Sequence, residues 1–275
     1  MPVSVEDMWQ RVNSSRIWDE EPVFCFTADV DWASEDALDR FFKDILPYNL
    51  KPTIFVTHRS AVVDKVFREG KIERGIHPNF LPGSSQGGDF RTIVETGLKL
   101  APETECFRAH RGFDVTDTTH LLASYGMTYD SNVGTLMQTR VRPMLLESRL
   151  IRFPIFFEDG THLYNELELD FKRYERHFLT PGIKIISLHP MNWVVNPPTL
   201  KYMRAIKDSL SREAYNRMSS DTIETHRHRG RGIADFSHDI IKFITQFKVY
   251  SLRELYLIAI SQPNLGEPYE TAGIG

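Results

Sequence analysis

The chain has little sulfur, no excess of either charge and no long apolar run, and each absence removes a class of function. Only two cysteines, Cys25 and Cys106, occur in 275 residues, too few for a disulfide scaffold or a four-cysteine zinc site. Cys25 lies inside an apolar run, where a buried thiol is expected. Lys and Arg number 33 against 37 Asp and Glu, a formal net charge of −4, so bulk electrostatics supplies no nucleic-acid or anionic-membrane partner. No window approaches the roughly 18 consecutive apolar residues of an integral membrane segment. Residues 1–14 are polar and mixed in charge, without the basic start and apolar stretch of a signal peptide, so the expected location is cytoplasmic. With 41% hydrophobic and 25% charged residues, the composition is that of a globular protein with a sizeable core.

Short apolar runs alternate with helical patterns. Strands are expected at Val23 to Val30, Thr53 to Thr57, Ile72 to His77, Cys106 to Arg108, Met127 to Tyr129, Leu150 to Phe156, Ile183 to Leu188 and Lys248 to Tyr250. Helices are expected at Glu35 to Leu46 behind a Ser34 cap, from Ser60 to near Gly70, at Asp89 to Leu100, and at Thr116 to Tyr125 closed by Gly126. Further helices are expected at Pro197 to Leu210, Asp235 to Phe247 and Leu252 to Ser261. Such alternation means parallel strands with helical crossovers, in a barrel or an open sheet. No repeat, linker or composition break divides the chain, which reads as one domain. Residues 211–232 are polar, charged and hard to assign, the best candidate for an insertion or lid.

In parallel α/β folds the loops after the strand ends converge on one face and carry the chemistry. Of ten histidines, His77, His110 and His189 fall at or just past an expected strand end. In FCFTADVDW, Cys25, Thr27, Asp29 and Asp31 alternate onto one strand face. Two carboxylates so close repel unless a cation or a shared proton offsets them. A divalent metal does so, leaving one as ligand and the other as base. Alternatively, one Asp caps the following helix and the other pairs with a basic side chain. His77, before Pro78, suits a metal ligand or acid–base group, or simply closes a turn. Arg108 can hold a carboxylate bidentately, and His110 shares its face if the strand runs on. His189–Pro190 repeats the strand–His–Pro arrangement.

In this order these elements resemble the polysaccharide deacetylase family, the NodB-homology carbohydrate esterases. Thr27 to Asp31 (TADVD) stands for the Thr-Phe-Asp-Asp-Gly strand end and Gly75 to Phe80 (GIHPNF) for the His-Ser/Thr-x-x-His loop. Phe107 to His110 (FRAH) stands for Arg-x-Pro, and Ser187 to His189 (SLH) for the late Leu-x-His strand end. The resemblance implies a single-domain α/β fold, a distorted parallel (β/α) barrel of the NodB-homology type. It is expected over 22–260, with a lead over 1–21, the insertion at 211–232 and an irregular tail over 261–275. The implied activity is metal-dependent removal of an N- or O-acetyl group from a sugar of a polysaccharide or its precursor. Carried over by position, Asp29 is the catalytic base, Arg108 orients it, His189 protonates the leaving group, and Asp31 and His77 bind a divalent metal such as zinc.

One position departs from the pattern. The second ligand histidine of the loop falls at 81, which is Leu81 here. His110, in place of the Arg-x-Pro proline, is the expected third ligand, with Asn79 a weaker substitute. Two other readings remain at this stage: a catalytically degenerate barrel that binds a glycan or nucleotide-sugar, and a metal-dependent hydrolase of another amide. The run Thr225 to Arg231 is either a solvated loop or an anion clamp, and Trp193 either stacks on a sugar or packs under its loop. No export segment and little room for a separate carbohydrate module point to a sugar precursor or lipid-linked intermediate as substrate. The oligomeric state is not readable from the sequence.

Overall fold

A computed structural model of the chain describes residues 4–261. The expected tail lies outside the described residues beyond Ser261. Ten strands form one sheet: β1 (Pro22–Asp29), β2 (Thr53–Val56), β3 (Glu73–Ile76), β4 (Cys106–Phe107), β5 (Tyr129–Asp130), β6 (Met144–Leu145), β7 (Ile151–Arg152), β8 (Ile155–Glu158), β9 (Gly182–Leu188) and β10 (Val249–Tyr250). The order is β6-β7-β5-β4-β3-β2-β1-β9-β8, with β10 beside the lower half of β1. Every pairing is parallel except β6 with β7. Past β5 the chain runs on to β8: Ile155 N–H donates to the Val133 carbonyl, and Thr135 N–H to that of Ile155. The sheet therefore curls into the distorted parallel barrel expected from the motifs.

The alternation of β1 divides the core. Phe24, Phe26 and Ala28 face outward into a cluster with Leu38, Phe41 and Ile240 from the surrounding helices. Cys25 points the other way, into a cluster with Phe55, Cys106, Tyr129, Phe153 and Ile185. Both thiols are free and buried, and burial pushes both up in pKa. The lower end of this inner cluster is covered by Val12 and Trp18 of helices Val5–Asn13 and Ile17–Glu20, and by Leu252 and Leu255 of Leu252–Ile260. The polar lead thus contributes helices that the sequence reading did not assign, the first capped by Ser4 accepting from Asp7 N–H.

Local chemistry sets the other boundaries. Ser34, Ser60 and Asp89 accept from Ala37, Val63 and Thr92 N–H, opening the helices at Glu35–Ile45, Ala61–Arg68 and Phe90–Leu100. Gly70 and Gly126 take φ of +69° and +88° just past helix ends, a conformation cheap only for glycine. The single strand expected over Leu150 to Phe156 is two. Pro154 has no N–H to donate, and the chain leaves β7 there to join β9 as β8. The helix expected from Pro197 opens only at Leu200, because Thr199 supplies the cap behind Pro197 and Pro198. Residues 211–232 hold two short helices, Arg212–Asn216 and Ser220–His226.

Candidate active site

Because β1, β2, β3, β4, β8 and β9 are parallel, their C-terminal ends lie at one mouth of the barrel. Asp29 ends β1, and Asp31 follows two residues on. His77 follows β3, Arg108 and His110 follow β4, Asp159 follows β8 and His189 follows β9. Asp31, Trp32 and Arg111 are held at φ of +46°, +56° and +58°. Non-glycine residues there cost on the order of 1 kcal/mol each, and such strain collects at functional sites.

Asp31, His77 and His110 converge. Oδ1 of Asp31 lies 3.1 Å from Nε2 of His77 and 3.0 Å from Nδ1 of His110. Their three potential ligand atoms lie within 4.8 Å of one another. Burial pushes the Asp31 carboxyl up, but hydrogen bonds from His110 and His77, and the charge of His189, outweigh it and hold the acid well below its ordinary range. Two imidazole nitrogens and a carboxylate are a donor set for zinc and similar divalent ions, and a three-ligand set leaves positions open for water and substrate. The residues therefore fit a divalent metal. Asn79 is not among them: its Oδ1 accepts from Leu81 N–H at 3.1 Å, and its own N–H donates to Gln86 Oε1. The amide shapes the loop instead.

Asp29 is held on its other side. Arg108, 2% exposed, donates through Nη1 to Asp29 Oδ1 at 2.8 Å, to Thr27 Oγ1 at 3.0 Å and to Ser187 Oγ at 2.8 Å. Its Nη2 and Nε donate to the hydroxyl and carbonyl of Ser131, and its guanidinium lies 4.4 Å from the centre of the Phe55 ring. The guanidinium can neither rotate nor leave, so one oxygen of Asp29 is fixed.

His189 completes the arrangement. Its Nε2 lies 4.0 Å from Asp29 Oδ2 and 3.6 Å from Asp31 Oδ2, while Nδ1 lies 2.5 Å from Asp159 Oδ1. Burial opposes the imidazolium, yet the charge and hydrogen bond of Asp159, then Asp31 and Asp29, raise His189 well above its ordinary pKa. Its Nε2 faces both the clamped carboxylate and the candidate metal triad.

All six residues singled out from the sequence thus meet at one mouth. Three supporting groups were not singled out. Asp159 follows the end of β8, three residues past the Leu150 to Phe156 strand expected from the sequence. Ser131 receives Arg108. Asn132 accepts Ala109 N–H at 2.8 Å and donates to the Phe113 carbonyl at 3.0 Å, bridging the turn that carries His110. A single Asn after β5 carries no signal of that role. Two open readings close. Trp193 is 7% exposed and its Nε1 donates to Asp44, so it packs. The cations of the basic run are engaged within the protein: Arg227 with the Trp193 and Val194 carbonyls, Arg229 with Glu224 and Arg231 with Asp239. They form no anion clamp.

A curled parallel sheet with this mouth is the fold of the NodB-type polysaccharide deacetylases. A protein of Bordetella bronchiseptica, described as a polysaccharide deacetylase involved in O-antigen biosynthesis, superposes with a TM-score of 0.70 at 22% identity, over 80% of this chain and 90% of that one. A Mycobacterium smegmatis protein described as a polysaccharide deacetylase gives 0.56 at 17% identity, over 93% and 97%. No curated protein matches. Residues 26–207 match the WbmS-like polysaccharide deacetylase family, and the chain belongs to that family.

Proposed function

We propose that the chain is a metal-dependent hydrolase that removes an acetyl group, N-linked, from a sugar of a polysaccharide or its precursor. The observation that carries this reading is the meeting of the Asp31–His77–His110 triad with a clamped Asp29 and with His189, which Asp159 holds through Nδ1. The Bordetella neighbour's assignment to O-antigen biosynthesis favours a cell-surface polysaccharide or its precursor as the source of that sugar.

Asp31, His77 and His110 would hold the metal, for which zinc is the proposed occupant. When bound, it supplies Lewis acidity to the acetyl carbonyl and to water. Arg108 fixes Oδ1 of Asp29 and leaves Oδ2 on the side of His189, in position to take a proton from the attacking water. As the carbon–nitrogen bond breaks, Nε2 of His189 gives its proton to the departing amine, and Asp159 steadies the imidazolium from Nδ1. Without that proton the amine would have to leave as an anion.

The test is acetate release from N-acetylated oligosaccharides by the purified protein, before and after chelation and again with added zinc, cobalt or nickel. Release that chelation abolishes and metal restores is expected. A protein inactive on every substrate with all three metals contradicts the reading.

A further inference from the structure

Of the three groups in the candidate metal triad, His110 has the least secure footing. It sits on the loop that leaves β4, where Arg111 and Gly112 take φ of +58° and +61° in succession. A non-glycine residue in that region costs on the order of 1 kcal/mol, so local preference does not hold the loop in this shape. The His110 side chain is 19% exposed, and its ring rests on other side chains of the site. The His77 and Trp32 ring centroids lie 5.5 Å and 5.2 Å away. Whatever fixes the imidazole in place must therefore act on the loop's backbone.

That backbone is tied to the sheet through a chain of charged contacts. Asn132 accepts Ala109 N–H and donates to the Phe113 carbonyl, so one amide joins both ends of the loop. The Asn132 N–H donates in turn to Asp130 Oδ1 at 3.2 Å. Arg152 holds Asp130 through two bonds, Nε to Oδ1 at 2.8 Å and Nη2 to Oδ2 at 2.9 Å. The outer edge of the same guanidinium donates through Nη1 and Nη2 to both carboxylate oxygens of Asp114, where the loop ends. Arg152 and Asp130 are directly paired on β7 and β5, so the anchor is the sheet itself. Asp130 is fully buried, and burial pushes its carboxyl up to about 6 although Arg152 draws it down. A buried ionic network gains little stability over apolar packing of the same volume. A planar guanidinium bonded along two edges does supply a fixed direction.

Resting on the metal-dependent reading above, we propose that Asp130, Arg152 and Asp114 are positioning residues for the metal. They form a latch that ties the His110 loop to β5 and β7 and keeps the imidazole within reach of an ion held by Asp31 and His77. None of the three is itself a ligand; they act through Asn132 and the loop backbone.

Asp114→Ala tests the latch at its looser end. That side chain is 29% exposed, and its loss leaves buried Arg152 paired with Asp130, so the fold is kept. Backbone amide exchange on the full chain, freed of metal by chelation, should run about tenfold faster at Ala109 to Phe113 and stay unchanged in β1 and β9. Zinc affinity, read by competition with a chromophoric chelator, should fall about tenfold, the lower end of what losing an outer partner of a ligand costs. The visible absorption of the cobalt(II) form should change with it, because that spectrum reports the ligand geometry. Unchanged exchange in the loop, or faster exchange spread evenly over the chain, overturns the latch. So does zinc bound equally well by Asp114→Ala and the unaltered protein, which rejects the latch alone. An unaltered protein that binds no zinc rejects the metal reading itself, and the role of the latch with it.

Discussion

Asp159 places one carboxylate oxygen 2.5 Å from Nδ1 of His189 and accepts that residue's backbone N–H on the other at 2.8 Å. One side chain thus fixes both where His189 sits and which of its nitrogens faces Asp29. Nδ1 is committed to the acid, so in the proposed reaction Nε2 is the atom free to deliver the proton.

Replacing that acid by its amide tests the assignment. Asp159→Asn keeps the shape but removes the charge that favours the imidazolium. Steady-state kinetics should show kcat lower by about 10²- to 10⁴-fold, the contribution of a positioned general acid, with KM and metal content little changed. A kcat near that of the unaltered protein would remove His189 from the proton-donor role.

The pair Arg108–Asp29 makes a second prediction. Both groups are buried, 3% and 7% exposed at their side chains, and removing one partner of such a pair costs about 3–5 kcal/mol because the other charge is stranded. Urea unfolding should put Arg108→Met and Asp29→Asn each below the unaltered protein. The double variant should lose much less than the sum of the two single losses, since no buried charge is left stranded. Strictly additive losses would mean that the two side chains do not hold each other.

Lys184 gives a pH test away from the site. It is fully buried on β9, with Nζ 4.3 Å from the Phe156 ring centre, a hydrogen bond to Thr180 and no carboxylate partner among the described residues. Burial lowers its pKa to about 8 from 10.5. Between those values the unfolded chain binds more protons than the native one, so stability rises as pH increases through that window. Lys184→Met should be the more stable protein at pH 7, and its advantage in urea midpoint should shrink between pH 8 and pH 10. An advantage independent of pH would show that Lys184 is solvated in the native state.

Much of this molecule was readable because each signal had a local cause. Serine and aspartate caps open helices by their own hydrogen bonds, as Ser34, Ser60 and Asp89 do, and alternation in FCFTADVD assigns Cys25 and Phe24 to opposite faces whatever surrounds them. The site residues were legible for a related reason. In a parallel fold every strand end points to the same mouth, so Asp29, His77, Arg108 and His189 could be grouped without knowing the strand order. What stayed hidden depends on contacts distant in sequence. Asn132 matters only because β5 lies beside β4, and Trp193 is a packing residue only because Asp44 of another helix accepts its N–H. The break of the Leu150 to Phe156 run was signalled by Pro154, but the partner waiting for the second piece, β9, begins 28 residues later than Pro154.

In the proposed site, His110 supplies the metal ligand that Leu81 does not. Equilibrium zinc binding, by dialysis with elemental analysis, tests it most directly on the unaltered protein and His110→Ala. One zinc per chain is expected for the first. His110→Ala should bind it at least a hundredfold more weakly, since losing even an outer partner of a ligand costs about 10- to 100-fold. No zinc on the unaltered protein, or equal affinity in the two, would contradict the account.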